Sequence, residues 1–125
     1  MKRRDPRNPT EYQIQTAVAD YLRANAAPGV LWLHVPNQQA SGPRRGAYLK
    51  RMGVYPGAAD LVLFCGPEHP TRTHTLWLEL KARGGRPTAA QFDFAKAARA
   101  IGHDWTWASS VDGAIDYLKR AGWCR

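Results

Sequence analysis

The chain has 125 residues, of which 44% are apolar and 22% charged. That balance belongs to a folded globular protein rather than a disordered one, and the length allows one real core but not two. Lys and Arg number 18 against 10 Asp and Glu, a net charge of +8, which favours a polyanionic partner, nucleic acid first and an anionic membrane second. No apolar run approaches bilayer-crossing length, and no hydrophobic stretch follows the basic start MKRRDPRNP. A membrane span and a secretory leader are therefore not expected, and a cytoplasmic or nucleoid location is. Cys65 and Cys124 are too few for a disulfide framework and fit no zinc spacing.

Residues 1–9 read as a flexible basic arm, and residues 10–125 as a single domain. Thr10 is placed to cap a first helix over TEYQIQTAVADYLRANA, with Ile14, Val18, Tyr21 and Leu22 on its core face and Pro28-Gly29 beyond its end. Val30–Val35 predicts a first strand, apolar nearly throughout, as a strand covered on both faces would be. His34 reads as a strand-end histidine. Residues 38–52 change character: Arg44, Arg45, Lys50 and Arg51 surround Tyr48. They predict a mobile basic loop, with at most a helical turn near Tyr48, suited to phosphate tracking and base stacking.

Two strands follow at Leu61–Cys65 and Thr75–Leu80, joined by a polar, Pro-rich connection over 66–74. Pro87 or Thr88 starts a helix that runs to Ile101, with Phe92, Ala95 and Arg99 on one side and Phe94, Ala98 and Ile101 on another. Gly102 stops it. Trp105–Ala108 predicts a short edge strand. Ser109 or Ser110 caps a last helix with Ile115 and Leu118 inward. The order α-β-β-β-α-β-α predicts an α/β fold with a mixed sheet flanked by helices.

The chemistry gathers on the two central strands. Asp60 stands at the mouth of the first, after the turn-forming Pro56-Gly57. Glu79 and Lys81 stand in the second, two residues apart and so on one face. If the strands pair with Asp60 opposite Glu79, two carboxylates and an ammonium converge. Carboxylate oxygens suit a hard divalent cation such as Mg²⁺, which keeps several waters. A lysine beside it suits phosphodiester hydrolysis, whether by orienting water, helping to deprotonate it or neutralising charge on phosphorus. A cross-strand ion pair would account for the same residues without catalysis.

Asp60 followed by Glu79-Leu80-Lys81 resembles the PD-(D/E)xK nuclease signature. The segments VYPGAADLVLF, LWLELKARGGRPTAAQ and IGHDWTWASSVDGAIDYL resemble its VRR-NUC branch, and with EYQIQTAVADYL the resemblance spans nearly the whole chain. It implies a restriction-endonuclease-like α-β-β-β-α-β core and a Mg²⁺- or Mn²⁺-dependent endodeoxyribonuclease. Asp60 and Glu79 match its metal ligands, with Leu80 and Glu11 counted in the metal site, Lys81 matches the catalytic lysine, and Gln91 the helix glutamine beside the centre. Ala59 stands where the signature has its proline, which shapes backbone and binds nothing.

Stand-alone members of that branch resemble Holliday-junction resolvases, so the resemblance implies a homodimer acting on branched DNA, of bacterial or phage origin. A monomeric flap or single-strand nuclease, and a non-catalytic DNA-binding module, are the competing expectations.

Overall fold

The computed structural model describes residues 8–36 and 43–125, with residues 43–46 described by backbone alone. Helix α1 spans Glu11–Asn25. Its start is a capping box: Thr10 Oγ1 accepts from the Gln13 amide at 2.8 Å, and Gln13 Oε1 accepts from the Thr10 amide at 2.9 Å. The elements after it are β1 (Leu31–His34), α2 (Pro43–Arg51), β2 (Leu61–Phe64), β3 (Thr75–Leu80), α3 (Ala89–Ala100), β4 (Asp104–Ala108) and α4 (Val111–Arg120).

The four strands form one sheet in the order β1-β2-β3-β4. The pairs β1·β2 and β2·β3 are antiparallel and β3·β4 is parallel. A parallel neighbour needs a crossover, and α3 supplies it. The architecture is therefore the α/β, mixed-sheet arrangement expected from the sequence.

Side chains alternate across the sheet and divide it into two faces. Leu61, Leu63, Leu76, Leu78 and Leu80 point to one, where Ile14, Val18 and Leu22 of α1 and Ala114 and Leu118 of α4 cover them. The other face packs Trp77, Trp105 and Trp107 against Phe94, Ala95 and Ala98 of α3 and against Ala58 and Ala59. Residues after α4 tie back to α1: the Ala27 amide donates to Trp123 O at 2.9 Å, and the Arg125 amide donates to Asn25 O at 3.0 Å.

Several sequence expectations change. Strand β1 is not covered on both faces. It is a sheet edge, with Leu31 66% and Leu33 44% exposed; an apolar run marks a strand but not how many layers cover it. Residues 43–51, read as part of a mobile basic loop, form α2. Its opening proline and its Ala, Leu, Lys and Arg residues favour helix, a preference that the charge had masked. Residues 37–42, and residues 1–7 of the arm, lie outside the described residues. On α3 the buried set is Phe94, Ala95 and Ala98, while Ile101 is exposed. On α4 it is Ala114 and Leu118, with Ile115 half-buried. Among the described residues no helix is long and apolar enough to cross a membrane.

Candidate active site

The register of β2 and β3 sets Leu61 opposite Leu78, and one step further out it sets Asp60 opposite Glu79. Three contacts hold Asp60 there. Its Oδ2 accepts the Leu80 amide hydrogen at 2.8 Å. Its carbonyl accepts the Val35 amide at 2.8 Å, continuing the β1 ladder. The same carbonyl lies 2.8 Å from His34 Nδ1, which also lies 2.6 Å from Gln15 Nε2. His34 thus buttresses the strand end that bears Asp60.

The turn before Asp60 reaches across to α3. Gly57 has φ +81°, and a Cβ on it would stand 2.3 Å from the Ala90 carbonyl oxygen and 2.8 Å from the Gln91 nitrogen. Glycine is required twice over, by the left-handed backbone and by contact with the first turn of α3. That turn opens with a second capping box, Thr88 Oγ1 accepting from the Gln91 amide at 3.2 Å and Gln91 Oε1 accepting from the Thr88 amide at 2.8 Å. With its oxygen so fixed, the Gln91 side chain directs Nε2 into the cleft and donates to Glu79 Oε1 at 3.0 Å.

Glu79 is 3% exposed. Lys81 Nζ stands 3.8 Å from Glu79 Oε1, ion-pair range but beyond a hydrogen bond. Glu79 Oε2 is buried with no hydrogen-bond partner. Burial raises the Glu79 pKa first, then the negative charge of Asp60 and the hydrogen bond that a protonated Glu79 makes to it, with Glu11 adding a little; Lys81 pulls the other way, and the balance lies at about 9. Two carboxylates crowded in a poorly solvated place cannot both hold a charge without a cation nearby.

Glu11, Asp60, Glu79, Lys81 and Gln91 all line one cavity of about 300 Å³, closed at one side by Gly57, Thr88 and Ala90. Glu11 is exposed at its wall, and no hydrogen bond ties it to the other four. The Leu80 side chain packs into the aliphatic core, and its amide is the atom that meets Asp60. Among the described residues no three His, Cys, Asp or Glu side chains cluster as a ready-made metal cage. A Mg²⁺-type ion asks for less, one or two carboxylates and water, and the unpartnered Glu79 Oε2 beside Asp60 fits such an ion.

Of the basic positions read from sequence, Tyr48, Lys50 and Arg51 are exposed on α2, while the side chains of Arg44 and Arg45 are outside the described set. A cavity of about 700 Å³ lies elsewhere, along the free edge of β4 between Arg72, Arg99, Asp104, Tyr117 and Arg120. It contains no carboxylate pair.

Sequence reasoning had passed over three contributors. The Thr88-x-x-Gln91 spacing was a readable capping-box signal. The closeness of Gly57 to α3 and the His34 buttress depend on tertiary contacts and left no local mark.

No family model and no curated protein matches the sequence. Among solved structures, a VRR_NUC domain protein aligns with TM-score 0.72 at 23% identity, over 91% of this chain and 88% of that one. The chain has the restriction-endonuclease-like α/β fold of that VRR_NUC domain protein.

Proposed function

We propose that the chain is a divalent-metal-dependent DNA endonuclease of the VRR-NUC kind, selective for branched DNA and acting as a homodimer. The observation that carries this reading is the half-buried Asp60 carboxylate facing the buried Glu79, with Lys81 beside them, on a fold shared with a VRR_NUC domain protein.

Asp60 and Glu79 would hold Mg²⁺ or Mn²⁺, with Glu11 on the same cavity wall; Leu80, its side chain in the aliphatic core, would have only its carbonyl to give. An ion held there would supply Lewis-acid polarisation of the phosphate and would make water more acidic. The protein's own groups do the rest. The Leu80 amide fixes the free Asp60 oxygen toward the cleft. Gln91 is a positioning residue, because it holds Glu79 Oε1 and leaves Oε2 free. Lys81 places a positive charge next to the carboxylates, where it offsets charge developing on the phosphate.

Tyr48, Lys50 and Arg51 on α2, with Arg44, Arg45 and the arm, supply phosphate contacts, in keeping with the net charge of +8. A two-fold pair of sites would match the two strands nicked across a four-way junction.

The test is cleavage of end-labelled four-way junction, flap, duplex and single-stranded DNA with Mg²⁺, Mn²⁺ or EDTA. Symmetric nicks on the junction, abolished by EDTA, are the expected result. Cutting of flaps or single strands alone would keep the metal centre and replace the junction reading. Binding without cleavage under any metal would leave a DNA-binding module. Neutralising Arg44 and Arg45 should flatten the salt dependence of binding by about one unit of slope per lost phosphate contact.

A further inference from the structure

A second cavity, of about 490 Å³, opens on the same α3 face of the sheet, walled by Val35, Met52, Val54, Tyr55, Trp77 and Phe94. Phe94 is met edge-on by Tyr55 at 5.4 Å and by Trp77 at 4.9 Å. The Trp77 indole N–H already donates to His103 Nδ1 at 3.0 Å, so the indole offers the cavity carbon surface. Tyr55 is nevertheless 54% exposed and Met52 69% exposed. A tyrosine ring that rests on packed aromatics yet faces solvent is a stacking platform without its guest.

Two further observations say what the guest is. The cavity is built from segments that also build the carboxylate cleft: Tyr55 and Asp60 flank the turn at Gly57, and Phe94 follows Gln91 by one turn of α3. Positive charge adjoins it in the chain, because Lys50 and Arg51 end α2 immediately before Met52 and both are exposed. A flat aromatic surface with positive charge adjoining it complements a base joined to its phosphate; an apolar protein surface would match the rings and leave the charge unmatched. We propose that this cavity takes one unpaired nucleobase of the strand being cut, stacked on Tyr55, while the adjoining phosphates pass α2 toward Asp60 and Glu79.

The proposal rests on the nuclease reading and specifies its substrate class. A base in intact duplex must unstack before it can enter, so the cavity selects DNA with an unpaired nucleotide beside the cut, at a branch point, flap or single strand.

The experiment uses the full chain and branched DNA carrying 2-aminopurine at successive positions on either side of the cut. Binding is followed in EDTA and cleavage in Mn²⁺. One flanking position should lose fluorescence on binding. Tyr55→Ala should abolish that quench and raise KM by about tenfold, the scale of one lost base stack, with kcat kept. Tyr55→Phe should restore both, and Tyr12→Ala, at a still more open tyrosine outside the cavity, should change neither.

Cleavage without any quench, or a quench and KM untouched by Tyr55→Ala, would overturn the base pocket and leave the nuclease standing. A Tyr55-dependent quench without cleavage would keep the pocket and remove the nuclease. Loss of self-association in Tyr55→Ala with the quench intact would give the surface to a second copy of the chain and overturn the proposal. Failure to bind DNA at all would overturn both.

Discussion

On the α1/α4 face, Ile14, Val18, Leu22, Leu61, Leu63, Leu76, Leu78 and Leu118 are all completely buried. The α3 face is made differently. Its buried residues are Ala58, Ala59, Ala95 and Ala98 with Phe94 and Trp105, and on that face lies Glu79, the buried carboxylate among the described residues. Long aliphatic chains fill space and hold layers apart, whereas alanines and Gly57 let backbone approach backbone. The first face supplies stability. The second uses close approach to press the Asp60 turn and the start of α3 onto Glu79, and in doing so buries a carboxyl group. One sheet serves both ends because side-chain alternation keeps the two kinds of packing apart.

Substitutions on the two faces should therefore separate folding from activity. The largest effect is expected from Asp60→Ala and Glu79→Ala, each lowering metal-dependent cleavage by at least about a hundredfold while DNA binding in EDTA persists. Parallel loss of binding would assign both a structural role. On the other face, Leu118→Ala should cost about 2–5 kcal/mol in urea unfolding, as a large-to-small change in a closed core does. Its cleavage per folded molecule should stay unchanged, and a fall in kcat would show that the faces are not independent. Gly57→Ala should sit between these, destabilising by about 1–3 kcal/mol through its left-handed φ and its clash with Ala90. It should also slow cleavage, since the same contact positions Gln91.

The smallest effect is on pH dependence. The Glu79 pKa stands at about 9 in the fold against the usual 4.5. Between those values the folded chain holds a proton that the unfolded chain has released. The associated stability is full below pH 4.5 and is lost as pH rises toward 9. In EDTA the melting temperature should fall over that interval, and Glu79→Gln should flatten the slope. A slope unchanged by Glu79→Gln would place the titration on another group. Mg²⁺ should lessen the fall, because a cation replaces the proton between the carboxylates.

Much of this was legible in residue order. Boundary residues and apolar runs located β2 and β3, and a hairpin setting Asp60 opposite Glu79 was the condition on which the site reading depended. Thr10 and Ser110 act as the caps their positions announced. What escaped were facts about neighbours rather than about sequence. An apolar run at Leu31–His34 does not reveal that nothing covers one side of β1. A basic stretch at 43–51 looks like a loop until its helix-forming residues are weighed apart from their charge. The Tyr55, Trp77 and Phe94 cluster joins three separate segments, and no local period marks it.

The parallel pairing of β3 with β4 also orders events in time. Strands β1 to β3 are sequence neighbours and can form an antiparallel meander as soon as Leu80 has been synthesised, which brings Asp60 and Glu79 together early. Gln91 arrives only when α3 crosses over, and α1, which carries Glu11, can rest on the leucines of the meander but gains its helical neighbour only when α4 exists. A nascent chain on the ribosome would thus hold a paired but unsupported set of carboxylates, and it would gain a working cleft only after its last helix had docked.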